Sequence, residues 1–316
     1  MNAAADISLP AIRQRSVLDA ALGPVLAAAL SDPTVAEILV NADGAIWIDR
    51  AGQGLRATGA HMPAGDRETV IRLLAHGSGE TAGPGRPLLS ASLPGSAARV
   101  QAVLPPLAAA PVLAIRRRPD RVLTLEDYVN TGIASPEQAA ALRAAVAARA
   151  NIIVAGGAGS GKTTLLNALL AEPGLAGGRL IVLEDTPELR VSSPNTVQLL
   201  TRRAAPEITL RDLVQASLRL RPDRIIIGEV RDGAALDVLK AWNTGHPGGL
   251  LTLHANSAGD ALARLEDLCL EAQAASPARL IASAAPLVVF ITRTPEGRRL
   301  TELLDFRTPP PKGDTP

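Results

Sequence analysis

One glycine-rich segment constrains this chain more than any other feature of its sequence. Residues 156–163 are GGAGSGKT and match G-x-x-x-x-G-K-[ST], the pattern of a phosphate-binding loop. The apolar run 151–154 comes directly before the segment and predicts a strand, and residues 163–170 predict the helix that follows. Lysine is scarce, with 3 in 316 residues, so a lysine at the motif position is informative. The segment therefore predicts a strand, a phosphate loop and a helix in succession.

The loop predicts that the chain binds ATP together with Mg²⁺. Glycines let the backbone N–H groups converge on phosphate oxygens, and the helix N-terminus adds partial positive charge. We expect Lys162 to reach the β- and γ-phosphates and the Thr163 hydroxyl to be a ligand of Mg²⁺. The predicted nucleotide-binding residues are Gly157, Ala158, Gly159, Ser160, Gly161, Lys162, Thr163 and Thr164.

A second motif ends in a carboxylate. The run 224–229, RIIIGE, predicts a buried strand that ends at Glu229. Ligands bind at the carboxyl ends of parallel strands, so Glu229 is expected to face the loop and to orient or deprotonate the attacking water. The aspartate that commonly supports the metal on such a strand is missing, since Ile227 and Gly228 precede the glutamate. Mg²⁺ would then depend on Thr163 and waters, or on another acid.

The segment 180–188, LIVLEDTPE, offers that acid. Glu184 follows a predicted strand and lies 22 residues after Lys162, about one helix and one strand later. It should therefore emerge at the same sheet edge as the loop and act as a catalytic residue and metal ligand. Asp185 and Glu188 are equally compatible with an ordinary acidic loop.

A histidine ends another predicted strand, over residues 250–253. His254 could contact the γ-phosphate or report its presence, and it could equally be a packing histidine.

The order of predicted elements indicates an α/β chain with two domains. Residues 1–118 predict an N-terminal α+β domain, with helices over 9–30 and 66–75 and strands over 35–40, 45–49, 99–104 and 111–116. Residues 119–125 are the predicted linker. Over 126–307, apolar runs at 152–154, 180–183, 225–227, 250–253 and 288–291 alternate with helical stretches, which predicts a mostly parallel sheet covered by helices. Residues 308–316 are expected to be disordered.

Composition excludes several classes of protein. The net charge is +1 and aromatic residues make up 2% of the chain, which argues against a base-stacking platform and against direct sequence-specific nucleic-acid binding. One cysteine excludes a disulfide framework and indicates a reducing compartment. No targeting segment stands out in residues 1–10, and no apolar run reaches the roughly 18–20 residues that cross a bilayer. We therefore expect a cytoplasmic protein, with peripheral membrane contact left open.

Taken in order, four segments resemble the motifs of a known family. GGAGSGKTT, IVLEDTPEL, LRLRPDRIIIGEVRD and GHPGGLLTLHANS are similar to the Walker A, Asp, Walker B and His boxes of the secretion-type traffic ATPases. Residues 241–248 most resemble the branch that serves type IV secretion and plasmid conjugation. The single cysteine leaves no tetracysteine metal element, which also favours that branch. The family's Walker B typically ends in Gly-Glu, as here.

The resemblance carries further implications. It implies a RecA-like fold for the ATPase domain and a homo-hexameric ring at the cytoplasmic face of the inner membrane, with other secretion or conjugation proteins as partners. It also implies that arginines of the N-terminal domain reach the phosphates, and Arg99 and Arg116 stand at the matching positions. Arg219 and Arg231 flank the Walker B strand and are second choices for that role.

The leading hypothesis is an ATP-hydrolysing motor that powers pilus assembly or transfer of a DNA–protein substrate. The alternatives are a type IV pilus or type II secretion ATPase, a nucleic-acid motor of the RecA or helicase type, and a nucleotide-binding scaffold without turnover. Neutral charge and few aromatics disfavour the nucleic-acid motor, and Glu184 and Glu229 disfavour the scaffold.

Overall fold

A computed structural model describes residues 9–50, 53–94, 98–117, 121–202, 205–284 and 286–306, with side chains described from residue 16 onward. The chain divides into two compact units, Met1–Asp120 and Arg121–Pro316. Residues 119 and 120 of the predicted linker lie outside the described residues, and so does the predicted disordered tail at 308–316.

The first unit is a six-stranded antiparallel sheet with two helices. Its elements are α1 (Leu9–Ser31), β1 (Val35–Val40), β2 (Ala45–Arg50), β3 (Gly54–His61), α2 (Ala64–Gly77), β4 (Leu88–Ser92), β5 (Arg99–Val103) and β6 (Val112–Arg116). The strand order is β3-β2-β1-β6-β5-β4, and every neighbouring pair is antiparallel. Helix α1 is interrupted at Gly23, whose φ is 70° and which precedes Pro24.

Alternating apolar side chains build the core of this unit. Ile38 and Val40 of β1 and Ile46 and Ile48 of β2 are buried together with residues from both helices. A tight turn that contains Asp43 and Gly44 joins β1 to β2. Gly44 has a φ of 92°, and a Cβ there would lie 2.7 Å from the Met62 carbonyl oxygen, so the turn requires glycine.

The second unit is a seven-stranded sheet covered by helices. Its elements are α3 (Leu125–Asn130), α4 (Pro136–Ala147), β7 (Ile152–Gly156), α5 (Lys162–Leu170), β8 (Leu180–Glu184), β9 (Thr196–Leu200), α6 (Leu210–Ser217), β10 (Arg224–Val230), α7 (Ala234–Asn243), β11 (Leu250–His254), α8 (Ala258–Leu270), α9 (Ala278–Ala284), β12 (Leu287–Thr294) and β13 (Gly297–Asp305). Short 3₁₀ turns occupy Pro173–Leu175 and Leu218–Leu220. Ser135 is the N-cap of α4 and forms a capping box with Gln138.

The strand order β13-β12-β7-β11-β10-β8-β9 sets the position of the loop. All pairs are parallel except β12 with β13, which agrees with the expected mostly parallel sheet. Strands β7 and β8 are buried along their whole length, between two apolar clusters on the two faces of the sheet. Parallel neighbours bring the carboxyl ends of β7, β11, β10 and β8 to one edge.

Four strands that the sequence did not predict share one property. They are β3, β4, β9 and β13, and each is an edge strand of its sheet. The nine other strands were predicted, most to within two residues at each end. Among the described residues, no helix combines the length and apolar character that crossing a membrane requires.

Candidate active site

The predicted phosphate loop lies between β7 and α5, as its motif requires. A Cβ on Gly156 would come within 2.3 Å of the Ile291 carbonyl oxygen and 2.6 Å of Ser160 Oγ, so only glycine fits there. Gly161 has a φ of 107° and occupies the N-cap of α5, with no side-chain cap. The first N–H groups of α5 thus have no side-chain oxygen in front of them, and this is the arrangement that binds anions.

Lys162 is buried and directed at its own loop. Its Nζ donates hydrogen bonds to the carbonyl oxygens of Gly156, at 2.9 Å, and Gly157, at 2.7 Å. The same Nζ lies 3.4 Å from Nδ1 of His254. Only 7% of Lys162 is exposed, so its charge is available to a ligand that enters the loop and to little else.

His254 reaches Lys162 because of strand register. Strand β11 pairs with β7 so that His254 lies opposite Gly156, the last residue of β7 and the first of the loop. Its Nε2 lies 2.8 Å from Glu229 Oε1. Burial and, next, the charge of Lys162 lower the pKa of His254 below its ordinary value, while Glu229 opposes them. A neutral ring can accept a hydrogen bond from the Lys162 ammonium group at Nδ1, while Nε2 lies beside the carboxylate.

Glu229 is directed to His254 by an irregularity in its strand. In the pairing of β10 with β11, Ile227 lies opposite Leu251 and Val230 opposite Leu253, so Gly228 and Glu229 share one partner, a β-bulge. Thr252 Oγ1 donates a 2.6 Å hydrogen bond to the Gly228 carbonyl oxygen at this bulge. Bulges occur next to active sites, where they redirect a side chain. The irregularity explains how a strand-end glutamate meets the histidine of the neighbouring strand.

The second carboxylate oxygen of Glu229 accepts a hydrogen bond from Arg231. Arg231 Nε donates a 2.6 Å hydrogen bond to Glu229 Oε2, and its Nη1 lies 3.9 Å from Asp185 Oδ2. From its sequence position, Arg231 is a less favoured candidate for a phosphate contact, and in the structure its side chain contacts Glu229. A continuous set of contacts therefore connects Asp185, Arg231, Glu229, His254 and Lys162.

Glu184 lies beside the same bulge and is almost completely buried. Its Oε1 accepts hydrogen bonds from the backbone N–H groups of Glu188 and Leu189, each at 2.8 Å. A Cβ on Gly228 would lie 3.2 Å from Glu184 Cγ. The glycine that replaces the expected Walker B aspartate thus leaves the space that Glu184 fills.

Asn167 ties this acidic segment to the helix of the phosphate loop. Its Nδ2 donates to the Glu188 carbonyl oxygen at 3.3 Å, and its Oδ1 accepts from the Arg190 N–H at 2.7 Å. Asn167 lies on α5, five residues after Lys162, so the loop and the segment 184–190 are connected through one side chain. Neither Asn167 nor Thr252 carries a sequence signal that would have marked it as part of this site.

The other predicted arginines lie elsewhere. Arg99 and Arg116 belong to the first unit, where β5 and β6 place them directly opposite one another. Arg219 is exposed in a 3₁₀ turn that precedes β10, at the amino ends of the strands, and within this chain it is far from the carboxyl edge where the loop lies. A role for Arg99 and Arg116 at the phosphates stays a prediction.

Comparison with known proteins decides the family. Residues 82–299 match the family model described as Type II/IV secretion system protein. The chain is 46% identical to the conjugal transfer protein TrbB of Rhizobium radiobacter over 91% of this chain and 88% of that protein. It is 36% identical to the type IV secretion system protein PtlH of Bordetella pertussis over 77% of this chain and 79% of that protein. The chain belongs to the type II/IV secretion system protein family.

Solved structures agree with this membership at the level of the fold. The ATPase DotB of Legionella pneumophila superimposes with a TM-score of 0.62 at 20% identity, covering 88% of this chain and 78% of that one. The pilus retraction motor PilT, solved with bound ADP, superimposes with a TM-score of 0.61 at 19% identity, covering 89% and 82%. The resemblance predicted from the four motifs is confirmed, and all four lie within the residues that match the secretion-family model.

Proposed function

We propose that this secretion-family protein is an ATP-hydrolysing motor of a type IV secretion or conjugative transfer system, which powers pilus assembly or transfer of a DNA–protein substrate. The observation that carries the proposal is the set of contacts in which His254 bridges Lys162 of the phosphate loop and Glu229 of the Walker B strand. The names of the TrbB and PtlH relatives support the biological setting.

The loop residues supply binding and charge. When a triphosphate enters, the Lys162 ammonium would exchange its two carbonyl partners for β- and γ-phosphate oxygens, and the N–H groups of residues 157–164 would surround the phosphate chain. The exchange needs little movement, because Nζ already lies at the mouth of the loop against the Gly156 and Gly157 carbonyl oxygens.

The donor set also suits magnesium. Thr163 offers a hydroxyl and Glu184 a buried carboxylate, and hard oxygen ligands are those that Mg²⁺ prefers. Within the described part of the chain, no group of three or more His, Cys, Asp or Glu could hold a metal ion. A metal here would therefore share its ligands with ATP and water. When bound, Mg²⁺ would neutralise charge on the phosphate oxygens.

Glu229 is the residue we assign to the attacking water. Water would attack the γ-phosphorus, the bond to the bridging oxygen of ADP would break, and the water proton would pass to Glu229 and then to phosphate. Both Glu229 oxygens have nitrogen neighbours in this structure, so one contact must open before water is held. Movement of Lys162 to the phosphates removes the partner of His254 Nδ1 and frees the ring to turn.

Assembly completes the proposal. Six copies would form a ring at the cytoplasmic face of the inner membrane, in contact with other secretion or conjugation proteins. A RecA-like ATPase unit and an N-terminal unit in each copy would close on ATP, which would bring Arg99 and Arg116 to the γ-phosphate. The support for this part is the resemblance to traffic ATPases.

Phosphate release tests the proposed activity. The purified full chain is expected to release inorganic phosphate from ATP in the presence of Mg²⁺. Lys162→Ala should abolish both nucleotide binding and phosphate release. Lys240→Ala is the matched control, because Lys240 is an exposed lysine on α7. A wild-type chain that binds ATP and never releases phosphate would support the scaffold alternative.

A further inference from the structure

The C-terminal hairpin, β12 with β13, lies directly against the phosphate loop. Strand β12 runs parallel to β7, with Leu287 opposite Ile152 and Phe290 opposite Ala155. Its next residue, Ile291, presents its carbonyl oxygen to Gly156, where the loop begins. The chain then turns and returns as β13, which places Arg298 directly opposite Arg293.

Arg298 covers the other end of the loop. Its Cδ and Nε lie 3.1 and 3.2 Å from the position that a Cβ on Gly161 would occupy. Gly161 is the residue before Lys162 and the N-cap of α5. The arginine stem therefore takes the space that a side chain at the N-cap would fill, and it holds the guanidinium beside the loop.

The charge of Arg298 has no ion-pair partner in the described part of the chain, although it lies close enough to the buried Tyr128 to act on the pKa of its hydroxyl. Its exposed side chain makes no hydrogen bond or ion pair there, and the same is true of Arg293. Like charges directly opposite each other on neighbouring strands are unfavourable, and the positive end of the α5 dipole adds to them. By contrast, Arg299 on the same hairpin donates to the Gly132 carbonyl oxygen at 2.5 Å. An anion at the loop would relieve the accumulated positive charge beside Gly161.

We infer that the Arg298 guanidinium contacts the phosphate chain of the bound nucleotide on the side of the α- and β-phosphates. The inference rests on the proposed function, since it takes the occupant of the loop to be ATP or ADP. Loop N–H groups ahead of the lysine cradle the α- and β-phosphates, whereas the lysine reaches the β- and γ-phosphates. Arg298 lies against Gly161, ahead of the lysine, so its contact is shared by ATP and by the product ADP.

Calorimetric titration of the full chain with ATP and with ADP tests this assignment. Arg298→Ala is expected to lower the affinity for ATP and for ADP by a similar factor of about ten or more, as for loss of a charge-assisted hydrogen bond. Arg298→Lys should recover part of the affinity because it keeps the charge. In steady-state assays the KM for ATP should rise more than kcat falls, because the contact is present before and during reaction. Arg299→Ala is the control on the same strand and should bind both nucleotides as the wild type does.

Each other outcome has a distinct meaning. Wild-type affinity of Arg298→Ala for both nucleotides would overturn the inference. Weaker binding of ATP with unchanged ADP would also overturn it, because the contact would then be to the γ-phosphate. A wild-type chain that binds neither nucleotide would reject the proposed function itself. Arg298→Gln keeps most of the stem over Gly161 but removes the charge. We expect it to lose as much nucleotide affinity as Arg298→Ala. Unchanged melting temperatures of both variants without nucleotide would show that the loss comes from the missing contact and not from misfolding.

Discussion

Nε2 of His254 lies 2.8 Å from Oε1 of Glu229, while the other ring nitrogen faces the ammonium group of Lys162 at 3.4 Å. One imidazole therefore separates the residue expected to bind the phosphates from the residue expected to activate the attacking water. The ring is half exposed, so a ligand or solvent can reach it, and its orientation depends on which of its two neighbours stays in place.

Removal of the carboxylate at Glu229 should separate binding from turnover. Glu229→Gln keeps the size of the side chain and removes the base, and a general base typically contributes about 10²–10⁴-fold to rate. We expect phosphate release to fall by at least about 100-fold with ATP affinity retained. Glu271→Gln is the matched control, since Glu271 is exposed at the end of α8. Turnover at the wild-type rate in Glu229→Gln would remove Glu229 from the water-activating role.

The lowered pKa of His254 predicts how stability changes with pH. The folded state favours the neutral ring, so the unfolded chain binds a proton more readily. Stability from this residue is therefore present above the ordinary histidine pKa and is lost as pH falls through the lower, folded-state pKa. We expect melting temperatures to fall more between pH 7.5 and pH 5 in the wild type than in His254→Asn, by a small amount because the ring is half exposed. Equal pH dependence in the two proteins would contradict the assigned neutral state.

The contact between Gly228 and Glu184 predicts the effect of adding one methyl group. Gly228→Ala places a Cβ 3.2 Å from Glu184 Cγ, and the buried glutamate must move. Overpacking of this kind costs about 1–3 kcal/mol, and displacement of Glu184 should also loosen the turn at Glu188 and lower the rate of hydrolysis. Gly177→Ala is the control, because nothing lies within 4 Å of a Cβ at Gly177. Chemical unfolding and phosphate release measure the two effects, and a Gly228→Ala protein indistinguishable from Gly177→Ala in both would show that Glu184 adapts freely.

How much of the fold the sequence predicts depends on where each strand lies in its sheet. Strands with neighbours on both sides carry either apolar runs, as in Ile225–Ile227, or alternating apolar residues, as in β2, and all of them were predicted. The four edge strands bury less of each side chain; β3 is exposed along most of its length, so its sequence GLRATGAH carries no alternating signal. The edge strands could therefore not be predicted from the pattern of apolar residues.

The candidate site was also predicted only in part: the motifs identified its residues, but not the contacts between them. The motifs placed Lys162, Glu184, Glu229 and His254 at strand ends, and parallel strands made their proximity an expectation. The pairing of Glu229 with His254 depends on a bulge at Gly228, and a bulge in a parallel pair has no signature in the run RIIIGEV. The position of Arg298 over Gly161 depends on β13, one of the unpredicted edge strands.

The arginine pair of the first unit makes the last prediction. Arg99 and Arg116 lie directly opposite each other on β5 and β6, and like charges in that arrangement destabilise a sheet unless an anion approaches. If they close on the γ-phosphate, Arg99→Ala and Arg116→Ala should each slow hydrolysis strongly, since an arginine on the transferring phosphate is worth about 10³–10⁵-fold in other nucleotide hydrolases. Arg56→Ala, on edge strand β3 of the same sheet, is the control and should keep the wild-type rate. Because ADP lacks the γ-phosphate, ADP affinity should change little in either variant. Wild-type rates of phosphate release in both would end the closure hypothesis while leaving the roles of Glu229 and Lys162 intact.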